Sequence, residues 1–571
     1  ESGIMGELKN RIARKIMPER PLSDGLSTFF SAIFPNDTDA AWFSDLSTEV
    51  VEKIISFINY GATADDDCWP SVEKDLKDAL LLLATQARAI GLSAPMRKRM
   101  NYKDLKDLPF FDFTKAAEDL VAAFETKSSD EYEIIKEQFQ GQVLLCIDAF
   151  NDVYRHLDIF GVSTTVVYLL ESAQAKLKRI SDLVHLLSHQ KISVDLLQYF
   201  IAELIEENND KKSVTALLSQ NFRLMSRKIV DRSAETGEHY ISRTRQDYYL
   251  MFKKALGGGA VTALTVLIKL FVTAISLPLF VGGFLNSLNY ATSFLFIHFR
   301  GYTLATKQPA MTAPALASKL QNVNNGGPID ELVSEITKIF RTQMVGIVGN
   351  VVMVIPTVIA CDLLVYLLID KHILTSPQQA NYIFKSTNLF GLTLVYAAFT
   401  GVLLWLSSIF AGYVDNWFYL NKMTKVIALN RRLNFIFGKD RCFHVSKFLE
   451  ANISSIAANV SLGILMGLTP EVLSFFGIGL QVRHVTLSSG NFALGLMHYG
   501  LKSFEMWPFY SAILGIMFIG LLNVGVSFSL AFFVATRSRN IKGGKKREIY
   551  YAIISRIREK PMDFLFPPKD A

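Results

Sequence analysis

The chain has 571 residues, of which half are apolar and only a fifth are charged, and it contains 42 Phe. This composition argues against a protein made only of soluble domains. Residues 1–253 carry 31 Lys and Arg against 39 Asp and Glu, whereas residues 254–571 carry 28 against 14. A general nucleic-acid-binding protein concentrates basic residues on its soluble part, so the acidic first half counts against that function.

Cysteine usage gives no sign of a disulfide framework or a zinc site. The four cysteines lie far apart in the chain, and none belongs to a CxxC pair of the kind that a zinc ribbon needs. They are Cys68, Cys146, Cys361 and Cys442. Such scattered thiols fit a reducing compartment, and we expect neither a bound metal nor an organic cofactor.

The first 250 residues or so predict an all-α domain. Apolar residues recur at three- and four-residue spacing, and the alternating runs that are typical of strands are scarce. Helices are predicted over 41–59, 71–90, 131–158, 164–188, 194–207 and 213–236. We take residues 1–253 as a cytoplasmic helical domain.

From residue 254 onward the sequence contains repeated apolar stretches long enough for a bilayer core of roughly 30 Å. Six such stretches, separated by polar loops, predict a transmembrane domain over residues 254–536. The predicted spans are 255–275, 279–299, 344–369, 389–411, 451–480 and 509–535. The fold class that follows is all-α, with a soluble helical N-terminal domain in front of a six-helix polytopic bundle.

The number of Lys and Arg residues is alternately high and low in successive loops, as expected when basic loops stay in the cytoplasm. Loops 300–343 and 412–450 hold five and seven, and the tail 537–571 holds ten, whereas loops 370–388 and 481–508 hold two each. Both termini are therefore predicted to be cytoplasmic. The basic tail is expected to lie against anionic lipid headgroups, with a nucleic-acid-binding patch as the alternative.

The predicted fifth span, 451–480, is long for a single crossing, since 30 residues at about 1.5 Å each exceed the bilayer core. The sequence GLTPE, residues 467–471, falls two-thirds of the way along it. We predict a break there, followed by a half-helix or re-entrant piece, with a simple proline kink as the alternative. Gly463 and Gly467 form a GxxxG pair, which permits close helix contact. The membrane path of residues 471–500 stays open.

Charged and polar side chains fall inside the predicted spans. Lys269 lies in an apolar run of the first span, where a charge is costly unless it is paired, and Asp362 of the third span is the predicted partner. Further amides inside the spans are Asn286, Asn289, Asn350 and Asn523. Two interpretations remain open for these groups, namely interhelical bonding with one structural ion pair, or a functional polar path.

Three segments of the chain carry distinctive residue patterns. They read GEHYISRTRQDYYLMFKKALGGG (237–259), ATKQPAMTAPALA (305–317) and VRHVTLSSG (482–490). Together with the helical layout, they resemble the bacterial membrane family called site-specific recombinase, which takes its name from a gonococcal recombinase. The resemblance runs from about Val162 to the last span. It implies a protein of the bacterial inner membrane, and the family name implies DNA strand exchange.

The residues that known recombinases use are not found in this sequence. A tyrosine recombinase holds the scissile phosphate with Arg residues and an HxxR element and attacks it with Tyr, but none of the nine His residues is followed by Arg at the third position. A serine recombinase uses an α/β domain, whereas the nearest match, Arg179-Ile180-Ser181, falls in a predicted helix. We assign no catalytic residue and keep recombination as the alternative function.

The second segment is a candidate binding loop on the cytoplasmic side. Thr306, Lys307, Gln308 and Thr312 supply hydrogen-bonding groups, and the two prolines of the segment are expected to hold the chain out of a regular helix. A purely structural turn is the alternative. The first segment, directly before the first span, is predicted to be an interfacial anchor.

The third segment is a candidate binding loop on the opposite face. Arg483 and His484, together with Thr486 and Ser488, are suited to bind an anion such as a headgroup phosphate. A catalytic Ser–His pair would need a GxSxG elbow or a third partner, and neither is present.

Two classes of function fit these features better than a DNA enzyme does. One is transport or lipid handling through the helical bundle, within the lipid bilayer. The other is a membrane-tethered scaffold whose helical domain recruits a cytoplasmic protein. Nucleic acid is not an expected partner, and the oligomeric state is open.

Overall fold

The computed structural model describes residues 4–16, 26–36, 38–60, 69–102, 104–126, 130–157, 161–188, 193–214, 217, 241–304, 308–324, 326–538 and 546–568. The chain divides into two compact units, Glu1–Met225 and Ser226–Ala571. No β-strand occurs among the described residues, and the predicted all-α class is confirmed. Most of the predicted helix over 213–236 lies outside these residues.

The first unit is a packed array of helices. They are α1 (Ile4–Ile16), α2 (Leu26–Ile33), α3 (Asp39–Ser44), α4 (Thr48–Tyr60), α5 (Trp69–Gly91), α6 (Ala94–Arg97), α7 (Phe113–Ala123), α8 (Asp130–Arg155), α9 (Thr164–Ser188) and α10 (Val194–Lys212). Helices α5, α7, α8 and α9 supply most of its largest core, in which Phe110, Phe113, Phe139 and Phe150 are buried. Burial of each such side chain contributes about 1.5–3 kcal/mol, so these rings stabilise the unit.

Helix α10 packs against α2 and α3 in the same unit. Phe30, Phe43 and Ile205 form a second buried cluster there. The Gln198 side-chain amide donates hydrogen bonds to the carbonyl oxygens of Phe43 and Leu46, both at 2.9 Å. These bonds tie α10 to the carbonyl groups at the end of α3, where the regular hydrogen bonds of the helix stop.

The second unit contains the long apolar helices. Its helices are α11 (Arg245–Ala274), α12 (Leu279–Phe299), α13 (Gln308–Asn324), α14 (Ile329–Ile369), α15 (Pro377–Ser386), α16 (Thr393–Leu420), α17 (Met423–Leu429), α18 (Arg431–Phe437), α19 (Lys439–Phe475), α20 (Val485–Tyr499), α21 (Trp507–Ser538) and α22 (Lys546–Glu559). Among the described residues, six helices are long and apolar enough to cross a membrane, namely α11, α12, α14, α16, α19 and α21. Each overlaps one of the six predicted spans.

Close contacts fix the relative directions of these helices. Gly463 and Gly467 of α19 approach Ala291 and Ser287 of α12, so the two helices are antiparallel, and the close contact predicted for the GxxxG pair is confirmed. Contacts of the same kind show that α11 runs parallel to α14 and that α16 runs parallel to α21. Asn289 bonds to Thr265 and Tyr302 meets Gly257, so α12 is antiparallel to α11. Ser461 bonds to Ser407 and Ala458 packs with Ala411, so α19 is antiparallel to α16. Successive long helices therefore alternate in direction, as a chain that crosses a bilayer repeatedly requires.

The predicted break in the fifth span is wrong, because α19 continues through Pro470 to Phe475. Proline removes one backbone hydrogen bond, but long apolar helices tolerate it where neighbouring helices hold them in place. Gly467 and Glu471, on either side of Pro470, both contact α12. Packing on both sides of the proline thus keeps the helix in one piece.

A discontinuity exists after α19, in the segment that leads to α20. Helix α20 has 15 residues and contacts α11, α14, α15 and α21, and its first turns are buried. At about 1.5 Å per residue it is too short to cross a bilayer core of roughly 30 Å. Since α19 and α21 run in opposite directions, the segment between them starts and ends at the same end of the bundle. A re-entrant helix has this arrangement, and the membrane path of residues 471–500 stays a prediction.

Gly463→Ala is expected to destabilise the second unit, because a Cβ atom at this position would lie 2.5 Å from the backbone nitrogen of Ala291. Overpacking of this kind typically costs about 1–3 kcal/mol. The measurement is the melting temperature of the purified protein in detergent. Gly525→Ala in α21 is the matched control, since nothing lies within 4 Å of its added Cβ. Equal melting temperatures for the two variants would contradict the close packing of α12 on α19.

Candidate functional site

A small polar cavity of about 30 Å³ lies inside the second unit, where α11, α12, the end of α15 and the start of α20 meet. The polar side chains that line it belong to Lys269, Tyr290, Ser386, Thr387, Arg483, His484, Ser488 and Asn491. No Asp or Glu is among the lining residues. Lys269 of the first long helix therefore meets the third distinctive segment, although more than 200 residues separate them in the chain.

Arg483 is held in place by neutral groups. Its Nε donates to the carbonyl oxygen of Ser386 at 3.0 Å, and its Nη2 donates to Oε1 of Gln481 at 2.6 Å. The guanidinium group lies over the ring of Tyr396, 5.7 Å from the ring centre. Within the described part of the chain, no carboxylate forms an ion pair with Arg483. Its position is therefore fixed while its charge is not neutralised.

Lys269 also has no carboxylate partner among the residues that the structure describes. Its ammonium group lies 6.0 Å from the ring centre of Tyr290. The predicted pairing with Asp362 is wrong, because the Asp362 carboxylate accepts hydrogen bonds from Nδ1 of His372 at 2.7 Å and from the Ile373 amide at 2.8 Å. Asp362 thus stabilises the turn that follows α14. The sequence offered no pattern that would have indicated His372 as its partner.

Asn523 of α21 anchors the start of α20 in the middle of the bundle. Its Oδ1 accepts a hydrogen bond from the Val485 amide at 3.0 Å, and its Nδ2 donates to the carbonyl oxygens of Ala397 and Arg483 at 2.9 and 3.0 Å. One side chain therefore joins three segments. It also fixes the backbone of Arg483, whose side chain lines the cavity.

The N-terminus of α20 lies at the cavity. His484, the residue before the helix, is only 1 % exposed, and its side chain does not cap the helix. The first amides of a helix carry partial positive charge and favour an anion nearby. Ser488 lines the cavity, whereas Thr486 is buried without lining it. Three of the four predicted anion-binding residues of this segment, Arg483, His484 and Ser488, therefore come together with Lys269.

The second distinctive segment does not form the predicted loop over its described part. Residues 308–324 form α13, with Pro314 inside the helix, and Thr312 of this helix is buried. A proline in the first turn of a helix costs little, which suits Pro309. Small side chains of α13 pack on α21, and this contact offsets the cost of Pro314. Gln308 begins the helix, while Thr306 and Lys307 lie outside the described residues.

The first distinctive segment is described from Ile241 onward. Thr244 and Asp247 form a capping box at the start of α11, in which each side chain accepts a hydrogen bond from the other residue's backbone amide. The Ser242 amide donates to Oγ1 of Thr342 at 2.9 Å, which ties the segment to α14. These contacts fix where the first long helix begins, and the interfacial position of the segment stays a prediction.

Besides Asn523, two further amides predicted inside the spans bond to backbone carbonyl groups of other elements. Asn289 donates to the carbonyl oxygen of Thr265 at 2.9 Å, and Asn350 donates to those of Ala255 and Thr303 at 2.6 and 2.9 Å. These contacts support the structural interpretation for Asn289 and Asn350. Among the described residues, no group of three or more His, Cys, Asp or Glu side chains is placed to hold a metal ion.

These features define a class of protein: an all-α chain with six helices able to cross a membrane and a cavity lined by two cations beside the short helix α20. The sequence profile of the site-specific recombinase family matches residues 1–567. The chain therefore belongs to the site-specific recombinase family, and the resemblance seen in its three segments is confirmed. Neither the curated proteins nor the solved structures contain a match to it.

Asn523→Leu is expected to lower the stability of the second unit, because the substitution leaves the Val485 amide and two carbonyl groups without their partner. An unsatisfied buried polar group costs about 1–3 kcal/mol. The measurement is thermal unfolding in detergent, compared with Asn452→Leu, whose wild-type side chain bonds only within its own helix. If both variants melted at the same temperature, Asn523 would not anchor α20.

Proposed function

We propose that this protein is a multi-pass protein of the bacterial inner membrane that binds a small anionic group in the cavity beside α20, as part of transport or lipid handling. The observation that supports the proposal is the meeting of Lys269 and Arg483 in one cavity. Neither side chain has a carboxylate partner among the described residues. The charge pattern of the loops supports cytoplasmic termini, since Lys and Arg are concentrated at one end of the bundle.

The electrostatic argument starts from the cost of charge within a packed apolar bundle. A cation there is stabilised by an opposite charge, by water or by dipoles, and it is destabilising without them. An anion between Lys269 and Arg483 would offset the cost of both cations. The N-terminus of α20 adds a dipole of the right sign, as broken helices do in transporters that bind anionic substrates. The Ser488 hydroxyl supplies a further donor, whereas the hydroxyls of Ser386 and Thr387 already donate to the carbonyl oxygen of Ile383.

The size of the cavity limits the class of ligand. About 30 Å³ has room for two or three water-sized groups. This suits a single carboxylate or phosphate group and is too small for a nucleotide or a sugar. A free anion and the headgroup of an anionic lipid share this chemistry, so the experiment must separate the two sources.

Lys269→Gln and Arg483→Gln are expected to weaken stabilisation by anions. The purified protein is heated in a neutral detergent with one of three probes, namely sodium phosphate, sodium acetate or a short-chain phosphatidic acid. Sodium chloride keeps the ionic strength constant between samples. We expect the wild type to melt at a higher temperature with at least one of these probes. Each variant is expected to need about tenfold more of that probe for the same increase in melting temperature, which corresponds to about 1.4 kcal/mol of binding free energy. A higher melting temperature with phosphate in the absence of lipid would identify a free anion as the ligand. A higher melting temperature with phosphatidic acid only would identify a lipid headgroup.

Lys502→Gln is the control for the loss of one positive charge, because Lys502 is exposed and does not line the cavity. It is expected to respond to anions as the wild type does. A wild type that no probe stabilises, or a Lys269→Gln variant that responds like the wild type, would contradict the proposed site.

Lys269→Met is expected to leave the melting temperature without added anion unchanged or to raise it. Removal of a charge that has no partner relieves its desolvation cost, whereas removal of one member of a buried ion pair destabilises by about 3–5 kcal/mol. The measurement is the same thermal unfolding in anion-poor buffer. A clear decrease in melting temperature would show that Lys269 has a structural partner.

The family name supplies the second candidate function, DNA strand exchange. The nearest local match to a serine recombinase lies in α9, where Arg179 pairs with Glu203 and Glu207 and the Ser181 hydroxyl donates to the Leu177 carbonyl oxygen. These contacts engage both side chains within the first unit. The test is denaturing capture of the tagged protein from cells and sequencing of any attached DNA. A site-enriched covalent adduct that one Tyr or Ser substitution abolishes would establish recombination instead.

A further inference from the structure

A short helical hairpin joins two of the long helices and exposes large apolar side chains. This basic hairpin comprises residues 422–441, which include α17, Asn430, α18 and the first three residues of α19. Neither α17 nor α18 has a buried residue. Phe435 is 92 % exposed, and Leu429 and Ile436 are also largely exposed. Apolar exposure on this scale marks a surface that meets a membrane or another molecule.

The basic hairpin is also strongly positive. It contains six Lys and Arg against a single Asp. Those that form no ion pair with any described residue are Lys425, Arg431, Arg432, Lys439 and Arg441. All of them are exposed. Cations and apolar side chains therefore alternate along one short segment, which is the pattern of an element that lies in a membrane interface.

Internal hydrogen bonds give the basic hairpin a defined shape. The Asn430 side chain accepts hydrogen bonds from the amides of Arg432 and Leu433, at 3.0 and 3.1 Å, and thereby caps α18. The Asn434 side chain donates to the carbonyl oxygen of Ala428 at 3.1 Å, across the turn. Both short helices also pack on α19. The exposed side chains are therefore displayed by an ordered element and are not part of an extended loop.

The position of the basic hairpin favours a lipid surface over other partners. It directly connects two helices that are able to cross a membrane, and its two short helices pack on one of them, so it faces the bilayer surface at the predicted cytoplasmic end. Phosphate groups of nucleic acid would satisfy the cations but would leave Phe435, Ile436 and Leu429 in water. Lipid headgroups and acyl chains satisfy both kinds of side chain at once.

We propose that the basic hairpin binds the surface of a bilayer rich in anionic lipid, with its cations on the headgroups and Phe435 among the upper acyl carbons. Each Lys or Arg near such a surface contributes about 1 kcal/mol. The site is separate from the cavity beside α20 and does not depend on the function proposed for it.

The experiment follows a dye on the hairpin in the full-length protein. The Phe435→Cys variant is labelled with an environment-sensitive thiol dye and placed in nanodiscs. The nanodiscs contain phosphatidylcholine, alone or mixed with phosphatidylglycerol. The lipids carry bromine on their acyl chains, which quenches a dye that enters the bilayer. Wild-type protein treated in the same way gives the background. Cys146 and Cys442 are buried, and burial raises the pKa of the Cys146 thiol, which further slows its labelling.

We expect quenching that increases with the fraction of phosphatidylglycerol and weakens at high salt. Arg431→Gln combined with Arg432→Gln is expected to raise the phosphatidylglycerol fraction needed for half-maximal quenching several-fold. The matched control is Lys371→Gln combined with Lys502→Gln, which removes two exposed charges outside the hairpin and is expected to leave the curve unchanged. Lys269→Gln is also expected to leave it unchanged, which separates this result from that of the cavity.

Three results would overturn the proposal. The first is a dye that stays in water in both kinds of nanodisc, or that is quenched equally in both and is insensitive to the Arg substitutions. The second is protection of the dye that depends on the number of protein copies per disc, which would indicate contact with a second copy. The third is a dye response to duplex DNA at physiological salt that exceeds the response to phosphatidylglycerol, which would indicate a nucleic-acid surface.

Discussion

The cost of positive charge among packed apolar helices is the constraint on which the second unit depends. Lys269 and Arg483 lie where no described carboxylate offsets them, and aromatic rings and carbonyl groups hold them instead. These contacts orient the two cations, but they do not cancel the charge. The presence of two such cations in one cavity is the basis of the proposed anion site.

The cavity exists because the backbone can enter the bundle without leaving polar groups unsatisfied. Asn523 bonds to the Val485 amide and to the carbonyl oxygens of Arg483 and Ala397, so the non-helical stretch before α20 has partners at that depth. Close packing holds the surrounding helices, as at Gly463 and Gly467 against α12. Irregular backbone within a membrane domain is tolerated only where such partners exist.

The family assignment and the local chemistry lead to different expectations. The family profile covers nearly the whole chain and bears the name site-specific recombinase. The side chains nearest to a serine-recombinase pattern, Arg179 and Ser181, are engaged in contacts inside an all-α unit. The cavity of the second unit, by contrast, combines cations, hydroxyl groups and a helix N-terminus. Family membership is thus shown, whereas the proposed anion site is argued from the geometry of particular residues.

The sequence by itself determined the all-α class, the six long apolar helices and the close contact at the GxxxG pair. These depend on local periodicity, on length and on residue size, which can be read along the chain. Only the tertiary structure decided which polar groups meet. Lys269 lies beside Arg483 and not beside Asp362, which bonds to His372. Pro470 stays within a helix because α12 contacts both sides of it. Pairings across hundreds of residues depend on helix packing, and the spacing of residues along the chain does not encode them directly.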